Sequence, residues 1–411
     1  MRIQCCKTKY MIMNYLIYLN YIIYVIISFS TLYIFVFAVA GLFNFRQKKP
    51  KDDLQRKFAI LIPGYKEDSV VVEVAKEALK QDYPKHLFDI IIIADGFHQQ
   101  TIEKLSVLDL ILIEVELEFS TKSRALNAAL RSLDKKYDIA IILDADNLME
   151  KDFLKKVNTS FAAGNKVVQG HRVAKNMDTS YAILDAASEE INNHIFRKGH
   201  RVLGLSSALI GSAMAFDYEY FYNMMKKVEV VGGFDKEIEI LTLEKKIKIE
   251  YLPNAFVYDE KVPNAKVFST QRRRWLSAQI HFFGKSFIPA TRDLFLKGNF
   301  DLFNKAIQFI LIPRILLLGI LFLSSIFSLF FATTIITIQW LLLLTLCILT
   351  FIISTPLYMY NMKTVVALLK IPSGFYHMFI SLLKIKGANK KFIHTKHTYN
   401  AFQKKSKKKV N

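Results

Sequence analysis

Residues 15–43, 306–331 and 335–358 are almost wholly apolar or aromatic. Each run exceeds the roughly 20 residues that a helix needs to cross a bilayer. Inside hydrocarbon every backbone N–H and C=O needs an internal partner, so each run is expected to be helical. The hydrophobic fraction of 52% and the mean hydropathy of +0.22 agree with membrane segments. No convincing small-residue cleavage site follows the first run, so it is expected to stay as an anchor. Only Ala332, Thr333 and Thr334 separate the second and third runs, which makes them a tight hairpin. Six basic residues within residues 46–57 outnumber Arg2, Lys7 and Lys9 on the other flank. By the positive-inside rule the chain after residue 46 lies in the cytoplasm, and a bacterial inner membrane is the expected location. Residues 364–383 are apolar but interrupted by Lys370, Pro372 and His377. They are expected to form interfacial or re-entrant helices, with a fourth span as the alternative.

The formal net charge is +20 over 411 residues. Such a balance suits nucleic acid, an anionic lipid surface or phosphorylated substrates. The basic residues cluster beside the apolar runs, which favours the last two and leaves no nucleic-acid partner expected. Cys5, Cys6 and Cys347 lack metal-site spacing and imply no disulfide framework.

Between the first and second runs the pattern changes to short aliphatic stretches alternating with helical ones. Residues 58–63, 89–94, 110–115 and 138–143 read as strands buried on both faces. Residues 70–81 and 123–133 carry helical spacing. This alternation predicts an α/β fold built on a parallel sheet. The expected organisation is an N-terminal segment (1–14), a transmembrane helix (15–45), a cytoplasmic domain (46–285), an interfacial segment (286–305), a transmembrane hairpin (306–360), interfacial or re-entrant helices (361–386) and a basic tail (387–411). Neither G-x-G-x-x-G nor G-x-x-x-x-G-K-[ST] occurs, so the usual dinucleotide and P-loop fingerprints are absent.

One of these strands runs directly into Asp144-Ala145-Asp146. In an open α/β sheet the carboxyl edge is where ligands bind. Two acids separated by one residue there can converge on a divalent cation, and carboxylate oxygens suit Mg²⁺ or Mn²⁺. The competing reading is a polar strand end or a helix cap. Pro63, Tyr65, Glu67 and Asp95 fall at the ends of neighbouring strands, where they can hold a base and ribose, or simply punctuate the strands. Lys122 lies just before a helix and can meet a diphosphate there; otherwise it is a solvated lysine. His171, His194 and His281 are read as structural.

The ordered set Pro63-Gly64-Tyr65-Lys66-Glu67, Ala94-Asp95-Gly96, residues 122–127, Asp144-Ala145-Asp146, residues 211–216, residues 237–239 and Gln271-Arg272-Arg273-Arg274-Trp275 resembles the membrane-bound family 2 glycosyltransferases. These include the cellulose, hyaluronan and poly-N-acetylglucosamine synthases and ceramide glucosyltransferase. The resemblance covers roughly residues 57–283. It implies a GT-A mixed sheet flanked by transmembrane helices and inverting transfer from a UDP-sugar with Mg²⁺ or Mn²⁺. It makes Asp95 the uridine-binding acid, and Asp144 and Asp146 the nucleotide and metal ligands. Where the family has an acid pair this chain has Lys236-Glu237, so Glu237 takes the place of the catalytic base, with Asp235 and Glu239 as rivals. Gly211 and Ser212 are expected to line the acceptor pocket; the next residue is Ala213 where relatives often have Gly. Gln271, Arg274 and Trp275 are expected to face the site, and Arg272 and Arg273 the lipid. The acceptor is a saccharide of a cell-surface or exported polysaccharide, or a lipid receiving one sugar. With only about three spans, a long polymer would require an oligomer or an export partner. A non-catalytic scaffold or glycan-binding subunit is the reading from another class.

Overall fold

The computed structural model describes residues 2–133 and 136–384. The expected basic tail, 387–411, lies outside the described residues. In chain order the elements are α1 (Arg2–Ala40), β1 (Phe58–Tyr65), α2 (Val71–Ala78), β2 (Phe88–Asp95), α3 (Gln99–Ser106), β3 (Ile111–Val115), α4 (Lys122–Ser132), β4 (Ile139–Ile142), β5 (Leu148–Met149), α5 (Phe153–Ala162) and β6 (Val167–Ala174). Then come α6 (Ser180–Asn192), a π-helical turn (Asn193–Gly199), α7 (His200–Val202), β7 (Met214–Asp217), α8 (Tyr218–Met225), α9 (Phe234–Glu244) and β8 (Ile249–Asp259). The rest is helical: α10 (Ala265–Lys297), α11 (Phe300–Gln308), α12 (Arg314–Phe331), α13 (Thr334–Ser354), α14 (Met362–Leu368) and α15 (Ile371–Leu383).

The strands form one eight-stranded sheet in the order β3-β2-β1-β4-β7-β6-β8-β5. β3, β2, β1 and β4 are parallel. β7 then runs antiparallel to both β4 and β6. The sequence pattern predicted a parallel sheet; the structure is mixed, because β7 enters between β4 and β6 running antiparallel to both. Successive side chains in a strand point to opposite faces. Ala59, Leu61, Ile91, Ile93, Ala140 and Ile142 join one core with α4, α8 and α9. Phe58, Ile60, Ile62, Ile90, Ile139 and Ile141 join another with α2 and α5. Burial on both faces explains the unbroken aliphatic runs.

Sheet order also fixes the location of the site. The chain winds outward from β1 to β3, then returns to β4 on the other side of β1. The carboxyl ends of β1 and β4 therefore open onto a crevice at a switch point, where α/β sheets bind ligands.

Three helices are long and apolar enough to cross a membrane: residues Asn20–Ala40 of α1, then α12 and α13. Ile27, Ile34 and Phe37 of α1 pack with Leu317, Leu321, Trp340 and Leu343. The run 306–331 is not one helix, because α11 ends at Gln308 and α12 starts after Pro313. Proline lacks an N–H and disfavours helix at the residue before it, which accounts for the break. α14 and α15 meet at a 45° bend and together pass as a broken span or a re-entrant loop.

Candidate active site

A cavity of about 1230 Å³ opens at the carboxyl ends of β1, β2 and β4. Pro63, Tyr65, Glu67, Asp95, Lys122, Asp144 and Asp146 line it from the sheet, Gly211 from the segment before β7, and Gln271, Arg274 and Trp275 from α10. Residues far apart in the chain, from Pro63 to Trp275, thus meet in one hollow.

One end of the cavity is set by β1 and β2, whose register pairs Tyr65 with Asp95. Asp95 is only 6% exposed. Burial raises its carboxyl above the usual value, against a hydrogen bond from Ser120 and the charge of Lys66.

The acidic centre has three members. Asp144, Asp146 and Asp259 offer oxygens that all lie within 4.8 Å of one another. Asp259 is absent from the sequence expectation. It arrives because β5, directly after the aspartate pair, pairs antiparallel with the end of β8, Leu148 opposite Tyr258. The Asn147 amide donates to Asp146 (3.2 Å) and to Asp259 (3.1 Å), fixing both carboxylates. The Glu260 backbone N–H donates to Asp146 at 2.9 Å. An all-oxygen set held by second-layer donors fits a hard divalent cation. Cations already surround it. Lys122 Nζ donates to Asp144 (2.5 Å) and to the carbonyl of Gly211 (2.7 Å). Arg172 stands 3.9 Å from Asp144 and 3.7 Å from Asp259, and Lys261 is 2.9 Å from Asp259.

Behind Arg172 lies a buried network. Burial alone would raise the Glu189 carboxyl, but Arg172, Lys261 and Arg197 bring it down to about 2. Its oxygens meet Arg172 at 3.0 Å and Arg197 at 3.3 Å. Burial lowers the Arg274 guanidinium from its ordinary value, against the charge of Asp144.

Three expectations change. Glu237 does not line the cavity; Lys285 donates to both its oxygens at 2.7 Å. Asp235 lines the cavity in its place. The reason is helical: α9 begins at Phe234, and two residues further on a side chain has turned by about 200°. The other rival, Glu239, is buried against Lys305 at 2.8 Å. Ser212 is fully buried, with its hydroxyl 3.4 Å from Arg172, so it supports the site from behind. Arg272 does not face lipid. It lines the cavity, donates to Asp185 at 2.6 Å and lies 4.3 Å from the Trp275 ring. At about 100° per residue, positions 271, 272, 274 and 275 share one side of α10 and Arg273 the other.

Burial alone would push the Asp235 carboxyl up, but Lys236 and Lys305 hold it below the ordinary value. A cavity with an ionised carboxylate, a cation-binding triad and several guanidinium groups can bind a diphosphate and accept a proton nearby. Gly211 adopts φ +91° beside Asp235, and Ala213 sits at φ 53°.

A family model described as glycosyltransferase-like family 2 matches residues 55–278. The mannosyltransferase PcManGT from Pyrobaculum calidifontis, solved with GDP-Man and Mn²⁺, superposes with a TM-score of 0.56 at 15% identity, covering 89% of this chain and 97% of that one. The Staphylococcus aureus TarS 1–349 structure gives a TM-score of 0.39 at 15% identity, covering 80% and 91%. Among curated proteins, the poly(ribitol-phosphate) β-N-acetylglucosaminyltransferase TarS of Staphylococcus aureus (strain Mu50) is 24% identical over 103 residues, 24% of this chain. That match spans only 18% of the length of TarS.

Proposed function

This chain belongs to glycosyltransferase-like family 2, and from that premise we propose that it moves a sugar from a UDP-sugar to an acceptor hydroxyl with inversion at the anomeric carbon. The observation that carries this reading is the single cavity shared by the aspartates after β4, Asp235 of α9 and the Gln271–Trp275 side of α10.

Tyr65 and Asp95 hold the nucleotide base, with the Asp95 carboxylate accepting from a uracil N–H. Asp144, Asp146 and Asp259 would hold Mg²⁺ or Mn²⁺, which when bound supplies neutralisation of the diphosphate. Lys122, released from Asp144, and Arg274 add positive charge beside the leaving group. Asp235 takes the acceptor proton as the acceptor oxygen bonds to the anomeric carbon. The bond from that carbon to the diphosphate oxygen breaks, and its electron pair leaves with UDP. One displacement gives one inversion. Trp275 offers a face for the transferred sugar.

Glu237 held the base position by sequence; its pairing with Lys285 supports Asp235 instead. The membrane helices and the basic flank at residues 46–57 support an integral membrane enzyme with its catalytic unit in the cytoplasm, in a bacterial inner membrane. For the acceptor, a saccharide of a cell-surface or exported polysaccharide is the first reading. A lipid acceptor is the second, favoured because the same cavity continues to Leu318 of α12, Phe351 of α13 and Val365 of α14. The test is a screen of the full chain against UDP- and GDP-sugars, reading nucleotide release and product size. Metal-dependent UDP release supports the proposal. Release of GDP alone would remove the uridine assignment, and no release from any donor would remove the enzyme reading.

A further inference from the structure

The inner half of the cavity is built unlike a sugar subsite. Leu318, Phe351, Val365, Leu368, Ile371 and Met378 make it apolar, and they come from α12–α15. Glycines let these helices approach closely: a methyl at Gly319 would fall 2.1 Å from Phe375, and one at Gly374 would fall 2.8 Å from Ile315. α15 is therefore seated on α12, while Ala367 of α14 packs against Ile183 and Ala186 of α6.

Between that half and the acidic centre stand guanidinium groups ordered along α6. Arg272 pairs with Asp185 at 2.6 Å. Arg314 donates to the carbonyl and hydroxyl of Ser188 at 3.0 Å. Arg197 and Arg172 share Glu189. Positions 185, 188 and 189 lie on one helical face, so the arginines form a row leading from the membrane helices to Asp144. Arg172 also stands 3.9 Å from Asp144 and 3.7 Å from Asp259. Arg172, Arg197, Arg272 and Arg314 each retain a buried guanidinium nitrogen with no hydrogen-bond partner among the described residues. Arg197 and Arg272 are only 3% and 9% exposed. Buried donors without acceptors are costly. An anion satisfies them. A phosphate fits best, since guanidinium forks match its oxygens.

Resting on the functional reading above, the geometry points to an acceptor that is a membrane lipid with a phosphate under its headgroup. Arg272, Arg314 and Arg197 hold the phosphate. The hydrocarbon chain lies in the apolar half beneath α14–α15. A headgroup hydroxyl beyond the phosphate reaches Asp235. A water-soluble saccharide acceptor would use neither the arginine row nor the apolar half.

The experiment measures binding of radiolabelled farnesyl phosphate and farnesol to the full chain in phosphatidylcholine nanodiscs, with metal-dependent UDP binding measured on the same discs. Farnesyl phosphate should bind saturably and at least tenfold more tightly than farnesol. Arg272→Gln and Arg314→Gln should each weaken it about tenfold, while Arg272→Lys should restore part of the loss. Thermal melts establish that the variants are folded. Equal binding of the alcohol, or glutamine variants that are folded and bind as the parent does, would overturn the proposal. Displacement by inorganic phosphate at equal concentration would also overturn it, by marking a site for soluble anions. Loss of UDP binding in the parent chain would instead count against the glycosyltransferase reading.

Discussion

At the scale of single residues, the account turns on which acid takes the proton. Asp235→Asn should lower kcat by about 10²-fold or more with the donor KM little changed. Glu237→Gln should leave kcat within a few-fold, because that side chain faces Lys285, a half-exposed partner whose loss costs about 1 kcal/mol or less. Steady-state kinetics on both variants decide between them. Protonation gives a second handle. A base held below the ordinary carboxylate value stays ionised as pH falls, and its contribution to folding is lost only as pH drops through that lowered value. The acid limb of kcat/KM should therefore lie below the ordinary aspartate range. A limb well above it would favour a group such as Glu239, whose carboxyl burial raises despite Lys305. Ala213, at φ 53°, occupies a conformation that costs a side chain roughly 1–2 kcal/mol. Ala213→Gly should raise stability by up to about 1 kcal/mol in a denaturant or thermal melt; a loss of stability would contradict the strain argument. Asp144, Asp146 and Asp95 were legible as acids closing aliphatic strands. Asp259 was not, since its strand is no unbroken aliphatic run but is interrupted by Pro253 and Asn254, and only the pairing of β5 with β8 brings it to the other two.

At the scale of elements, strands were easier to read than their partners. Continuous Ile and Leu marked β1, β2 and β4, because burial on both sheet faces demands them. The antiparallel insertion of β7 had no such mark: it is four residues long, and its place depends on backbone pairing with β4 and β6. The junction of α1 with the catalytic unit was also invisible. His194 in the π-helical turn bonds the carbonyl of Ala38 at 2.8 Å, and His200 stacks on Phe37 at 3.7 Å. Burial, with Lys305 adding to it, lowers His200 to about 3, so the ring there is neutral. Glycine contacts hold α15 to α12. Gly319→Ala should destabilise by about 1–3 kcal/mol, because a fixed aromatic ring on the facing helix must shift. Unchanged thermal stability in nanodiscs would mean that α15 does not seat there.

At the scale of the molecule, the apolar runs announced helices long and apolar enough to cross a membrane and the ordered motifs the family, while their juxtaposition needed the fold. Residues from β1, β4, α9 and α10 share one cavity only because the sheet reverses its winding at β1 and α10 then leads to the apolar helices, packing against α15. That arrangement lets one hollow be ionic at the sheet and apolar at α12–α15. Its central claim is that three carboxylates, not two, hold the cation on which departure of the nucleotide depends. The direct measurement is Mn²⁺-dependent UDP release by the full chain and by Asp259→Asn, titrated with metal at saturating donor. The account predicts that the variant needs at least about tenfold more Mn²⁺ for half-maximal release; a metal titration superimposable on that of the parent chain would contradict it.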